Sequence, residues 1–96
     1  MTEYLHIHSP ATSHDHSFII GNRASLEALR DAIDSALAEG AGKATCSVAD
    51  GEEFDICVYK EDDLLYWDKA TFPYRDYEGS NREDAITPWD LFRKYK

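Results

Sequence analysis

The stretch "NRASLEALRDAIDSALAEG", residues 22–40, decides how the chain folds. Leu26, Leu29, Ile33, Ala36 and Leu37 recur at steps of three and four, which predicts a helix over residues 23–39 with one apolar stripe. Asn22 or Ser25 can cap its start by accepting a hydrogen bond from an unpaired backbone N–H. Gly40 stands where a left-handed residue closes a last helical turn. Ala28, Ala32 and Ala36 line a neighbouring strip, smooth enough to lie close against a sheet. Arg30 and Asp34 are spaced as an i,i+4 ion pair, worth roughly 0.2–0.5 kcal/mol.

Strands are expected on both sides of this helix. Upstream, residues 3–8, "EYLHIH", alternate, with Leu5 and Ile7 pointing one way and Tyr4, His6 and His8 the other. Pro10 and the polar residues after it end this strand. Residues 16–20, "HSFII", predict a second strand closed by Gly21-Asn22. Downstream, residues 43–49, "KATCSVA", put Ala44, Cys46 and Val48 on one face. Asp50-Gly51 reads as a two-residue turn, because glycine accepts positive φ. Residues 52–59, "EEFDICVY", put Phe54, Ile56 and Val58 on one face and Asp55, Cys57 and Tyr59 on the other.

The last third is less regular. Residues 64–68, "LLYWD", predict a short strand, and residues 69–86 a loop containing Pro73, Gly79, Ser80 and Asn81. Thr87-Pro88-Trp89-Asp90 then carries a helix start, with Thr at the N-cap, Pro in the first turn and Asp three residues after the cap. A short helix over residues 88–94 follows. The order β-β-α-β-β-(β)-α predicts an α+β fold: an antiparallel sheet of four or five strands, one long helix on one face and a short C-terminal helix.

Composition bounds the rest. Ninety-six residues predict a single domain, and 43% hydrophobic with 30% charged content is globular. No apolar run approaches the roughly 18 residues of a membrane span. "MTEYLHIHSP" has neither the basic region nor the apolar core of a signal peptide. Two cysteines, Cys46 and Cys57, are too few for a disulfide framework, so reduced thiols and a cytoplasmic location are expected.

The net charge is −9. That argues against direct nucleic-acid binding and against anionic membranes, and favours a basic partner. The acidity is local. Asp50, Glu52, Glu53, Asp55, Glu61, Asp62 and Asp63 lie in one run that holds a single base, Lys60.

All four histidines fall in "HIHSPATSHDH", residues 6–16. If His6 faces His16 and His8 faces His14 across a hairpin, the four imidazoles share one face, an arrangement suited to zinc, nickel or copper. If Leu5 instead faces Phe18 and Ile7 faces His16, then His6 and His8 sit opposite Ser17 and Asp15. Two histidines and a carboxylate suit non-haem iron or zinc. The second register gathers Leu5, Ile7, Phe18 and Ile20 on one face. Burying such a side chain is worth roughly 1.5–3 kcal/mol, so it is the preferred register. His6, His8, Asp15, His14 and His16 are therefore the candidate ligands for Zn or another divalent transition metal.

No Gly-rich phosphate loop, G-x-S-x-G turn or triad spacing is present, so no enzyme activity is expected. Aromatic residues crowd the C-terminal third: Tyr66, Trp67, Phe72, Tyr74, Tyr77, Trp89, Phe92 and Tyr95. They either cap a small core or form a contact surface, since Trp, Tyr and Phe are enriched at interface centres. Arg75 and Arg82 would be polar anchors there.

The leading expectation is a small acidic binding or inhibitor-type protein that docks a basic protein surface or masks a nucleic-acid-binding site. Small acidic inhibitors, immunity proteins and phage-encoded counter-defence proteins share this size and charge. The acidic run would supply steering charge, and Trp67, Phe72, Tyr74 and Tyr77 anchoring area. The alternatives are a metal-binding protein using the histidine cluster and a protein that sequesters a small, nucleotide-type ligand. A sheet face carrying Tyr4, His6 and His8 could also be a homodimer surface.

Overall fold

The computed structural model describes residues 2–74 and 85–95. The chain runs β1 (Leu5–His8), β2 (Phe18–Gly21), α1 (Arg23–Glu39), β3 (Ala41–Ser47), β4 (Glu53–Tyr59), α2 (Leu64–Lys69) and α3 (Pro88–Tyr95). It divides into two compact units, Met1–His8 with Phe18–Lys60, and Ser9–Ser17 with Glu61–Lys96. The fold is α+β.

In the first unit α1 forms over the span its periodicity predicts. The Asn22 side chain accepts from the Ser25 N–H at 3.0 Å. Gly40, at φ 95°, sends its own N–H to the Ala36 carbonyl at the other end. The face α1 buries is centred on its alanine strip, with only Leu29 of its leucines packed on the core. Ser25, Ala32 and Ala36 are buried, while Leu26, Ile33 and Leu37 are 43%, 43% and 65% exposed. The reason lies at β3. A Cβ added to Gly42 would collide with the carbonyl of Ala32, so strand and helix backbones approach too closely for leucine. Arg30 turns to Asp31 at 3.2 Å rather than to Asp34.

β3 and β4 pair antiparallel, with Ala44 opposite Ile56 and Cys46 opposite Phe54. The core is small: Leu5, Ala32, Ala44 and Cys46, with Ala28, Leu29, Phe54, Ile56 and Val58 packed around them. The connection is longer than a two-residue turn. Val48 N–H donates to the Glu52 carbonyl and Gly51 N–H to the Val48 carbonyl, each at 2.9 Å. Ala49, Asp50 and Gly51 thus form a three-residue loop closed by Gly51 at φ 94°.

β1 and β2 pair antiparallel in neither of the two anticipated registers. Leu5 lies opposite Gly21, His6 opposite Ile20, Ile7 opposite Ile19 and His8 opposite Phe18. Gly21 explains this. A Cβ there would overlap Ser25 Oγ and come within 2.7 Å of Leu5 Cδ1. Only glycine lets Leu5 reach full burial at the start of α1. Anchoring that one side chain outweighs the gathering of Ile7, Phe18 and Ile20, which stay 48%, 54% and 61% exposed.

A continuous sheet of four or five strands does not form. Among the described residues there are two two-stranded sheets, β1-β2 and β3-β4. One parallel bridge, Tyr4 to Ser47, joins them, with the Ser47 N–H on the Glu3 carbonyl at 2.7 Å. The ladder goes no further because the next N–H on that side, from Ala49, donates to the imidazole Nε2 of His6 at 3.0 Å.

In the second unit, residues 64–69 are helical rather than a strand. Asp63 accepts from the Leu65 N–H at 3.0 Å, and the Trp67 indole N–H donates to the Glu61 carbonyl at 2.8 Å. These local bonds favour a helical turn over an extended run with no strand beside it. Ala70 bridges Ile86. At α3, the Thr87 N–H donates to Asp90 Oδ2 at 2.8 Å and the Asp90 N–H returns to the Thr87 carbonyl at 3.0 Å.

Candidate functional site

The β3–β4 hairpin has one face on α1 and one in solvent. Lys43, Thr45, Glu53, Asp55 and Cys57 are exposed on the solvent face. Thr45 Oγ1 donates to Asp55 Oδ1 at 2.7 Å, and Lys43 Nζ lies 4.0 Å from Asp55 Oδ2. At the tip, Asp50 Oδ1 accepts the Glu52 N–H at 3.0 Å. Asp50, Glu52, Glu53 and Asp55 are therefore displayed on a loop whose Val48, Ala49, Gly51 and Glu52 N–H groups are all hydrogen-bonded.

Beside this face runs the extended lead into β1. The Tyr4–Ser47 bridge sets Glu3 and Tyr4 against Thr45, Ser47 and Glu53, and a groove of about 450 Å³ lies between them. Two carboxylates (Glu3, Glu53), three hydroxyl residues (Thr2, Thr45, Ser47) and the half-exposed phenol of Tyr4 line one opening. All but the ring are good hydrogen-bond acceptors, and a phenol ring attracts a cation through its face. The arrangement suits a lysine or arginine side chain.

The expected acidic run is divided between the units. Glu61, Asp62 and Asp63 belong to the second. There Glu61 Oε2 accepts the Asp63 N–H at 3.0 Å and Asp63 caps α2. Trp67 and Phe72 are each 60% exposed in that unit, and Tyr74 stands at a tilted 6.1 Å from Phe72. Tyr77, Arg75 and Arg82 lie outside the described residues.

The histidines divide too. His6 and His8 meet edge to face, with ring centroids 6.0 Å apart. His14 sits at φ 68° in the Ser9–Ser17 loop. Asp15 holds that loop together, accepting from the His16 N–H at 2.8 Å and the Ala11 N–H at 3.3 Å. Among the described residues no three His, Cys, Asp or Glu side chains gather as a ligand set for a metal.

The thiols differ sharply. Burial, and then the nearby Glu3 carboxylate, push the Cys46 thiol pKa up. Cys57 is exposed. Burial and the Cys57 thiol push the Tyr59 hydroxyl up in the same direction.

Glu3 and Ser47 carry no sequence signal for a shared site. Their meeting needs a parallel contact between segments separated by α1, which no local pattern announces. No helix among the described residues is long and apolar enough to cross a membrane. Comparison with known protein families, curated proteins and solved structures gives no match to this chain.

Proposed function

We propose that this protein is a non-enzymatic docking module that engages a basic protein surface through the β3–β4 hairpin. The observation that carries the reading is the groove between Glu3 and Glu53, next to the exposed carboxylates of Asp50, Glu52 and Asp55. The fixed hairpin loop lowers the ordering cost of binding. A net charge of −9 speeds encounter with a cationic partner. Trp67 and Phe72 offer a separate apolar contact area on the second unit.

The test is an NMR titration of the full chain with an arginine- and lysine-rich peptide. Amide shifts are expected first at Glu3, Tyr4, Thr45, Ser47 and Glu53, and weaken with added salt. Charge reversal by Glu52→Lys with Glu53→Lys should abolish them. Shifts spread evenly over all the carboxylates would reject the groove as the site.

A further inference from the structure

We infer that the outer edge of β2 is a self-association site, at which a second copy of the chain adds its own β2 in antiparallel fashion. The Asn22 N–H donates to the Tyr4 carbonyl at 3.2 Å, which fixes the hydrogen-bonding parity of the β1-β2 ladder. Counting along it, Ile20 and Phe18 exchange bonds with His6 and His8, whereas the N–H and C=O of Ile19 point away from β1. β2 pairs only with β1 among the described residues, so Ile19 presents an open donor and acceptor on a sheet edge. Such an edge recruits a strand.

The side chains indicate which strand. Phe18, Ile19 and Ile20 are 54%, 56% and 61% exposed, in direct succession. A two-fold axis through Ile19 sets Ile19 of one copy opposite Ile19 of the other as a bonded pair. The same axis sets Phe18 opposite Ile20 twice, on the face that holds His6 and His8. Aromatic against β-branched is among the favourable cross-strand pairings. The segment is thus complementary to itself.

Charge selects in the same direction. The chain carries a net −9, so two copies repel over most of their surface. From Phe18 to Asn22 there is no charge, and the next residue is the cation Arg23. β4, the other edge strand, alternates Glu53 and Asp55 along its solvent face, which blunts pairing between copies. A basic partner would gain nothing from β2, whereas a second acidic chain can approach there. The product is a four-stranded sheet, β1-β2-β2-β1, independent of the hairpin groove.

The experiment uses the full chain in sedimentation velocity over a concentration series. A dimer is expected. Ile19→Pro removes an outward N–H that the β1-β2 ladder does not use, and Ile19→Lys places a charge on the two-fold axis. Both variants should sediment as monomers with an unchanged far-UV spectrum. Ile19→Cys in a Cys57→Ser background gives a reading even where those two fail to fold. Bonded antiparallel residues stand about 5.5 Å apart at Cα, within disulfide reach, so air oxidation should cross-link Ile19→Cys but not Ile7→Cys. A monomer at every concentration, a dimer that survives both substitutions, or equal cross-linking at the two cysteine positions would overturn the inference.

Discussion

The imidazole Nε2 of His6 accepts the backbone N–H of Ala49 at 3.0 Å, linking β1 to the loop of the β3–β4 hairpin. The two residues are far apart in sequence, yet this bond ends one sheet and steadies the acidic tip at once. His6→Ala should leave the fold intact and cost about 0.5–1.5 kcal/mol, the net worth of one hydrogen bond. The effect should concentrate at the loop. Amide exchange at Ala49 and its neighbours should accelerate while that of Ala32 is unchanged, as followed by NMR. A metal that took Nε2 of His6 would have to displace that N–H, so the same Ala49 amide reports on zinc addition.

Gly42 and Gly51 fail under substitution for different reasons. A Cβ on Gly42 would strike the Ala32 carbonyl, so Gly42→Ala must push β3 off α1. Overpacking of this kind costs about 1–3 kcal/mol. Gly51 meets nothing within 4 Å but sits at φ 94°. Gly51→Ala therefore costs about 1–2 kcal/mol from backbone conformation alone. Urea midpoints check the totals, and only the Gly42 variant should move Ala32 resonances.

Asp90 ties α3 to pH. The Thr87 backbone N–H, and next to it the Thr87 hydroxyl and Arg93, hold the Asp90 carboxyl below the usual carboxylate range. A carboxyl depressed in the folded state stabilises above its unfolded pKa, and that contribution is lost as pH falls through the folded value. The start of α3 should therefore loosen only at pH below the ordinary aspartate range. Asp90→Ala should produce the same loosening at neutral pH, read from the Thr87 amide.

Cys57 should react with an aromatic disulfide reagent in the native protein, and Cys46 only on unfolding. Cys46 is 2% exposed and its thiol is pushed up by burial. Two equal fast phases would contradict the burial of Cys46.

Local grammar was the legible part of this sequence. Asn22 and Gly40 mark the ends of α1 and Thr87 with Asp90 the start of α3, because each acts on its own backbone within a turn. Alternation also placed Ala44, Cys46, Phe54 and Ile56 on one face. What local patterns missed depends on close approach between distant segments. The leucines of α1 form the stronger stripe, yet the alanine strip is buried, because Gly42 brings β3 nearer than leucine permits. The first hairpin's register turned on Gly21 as a gap for Leu5, not on the largest apolar total. The acidic run reads as one patch along the chain but falls on two units in space, and the groove at Glu3 appears only when β1 lies beside β3.

The close approach of Gly42 to Ala32 also bears on the order of assembly. α1, β3 and β4 are consecutive, so their mutual contacts close only short loops and can form early. Leu5 is the large side chain in that core that comes from outside residues 23–60. Its place is expected to be filled late, once the helix has positioned Gly21 and Ser25. Leu5→Ala should therefore act mainly by hastening unfolding, whereas Ala32→Gly should slow folding itself. Stopped-flow chevrons of the two variants would separate the nucleus from the strand that seals it.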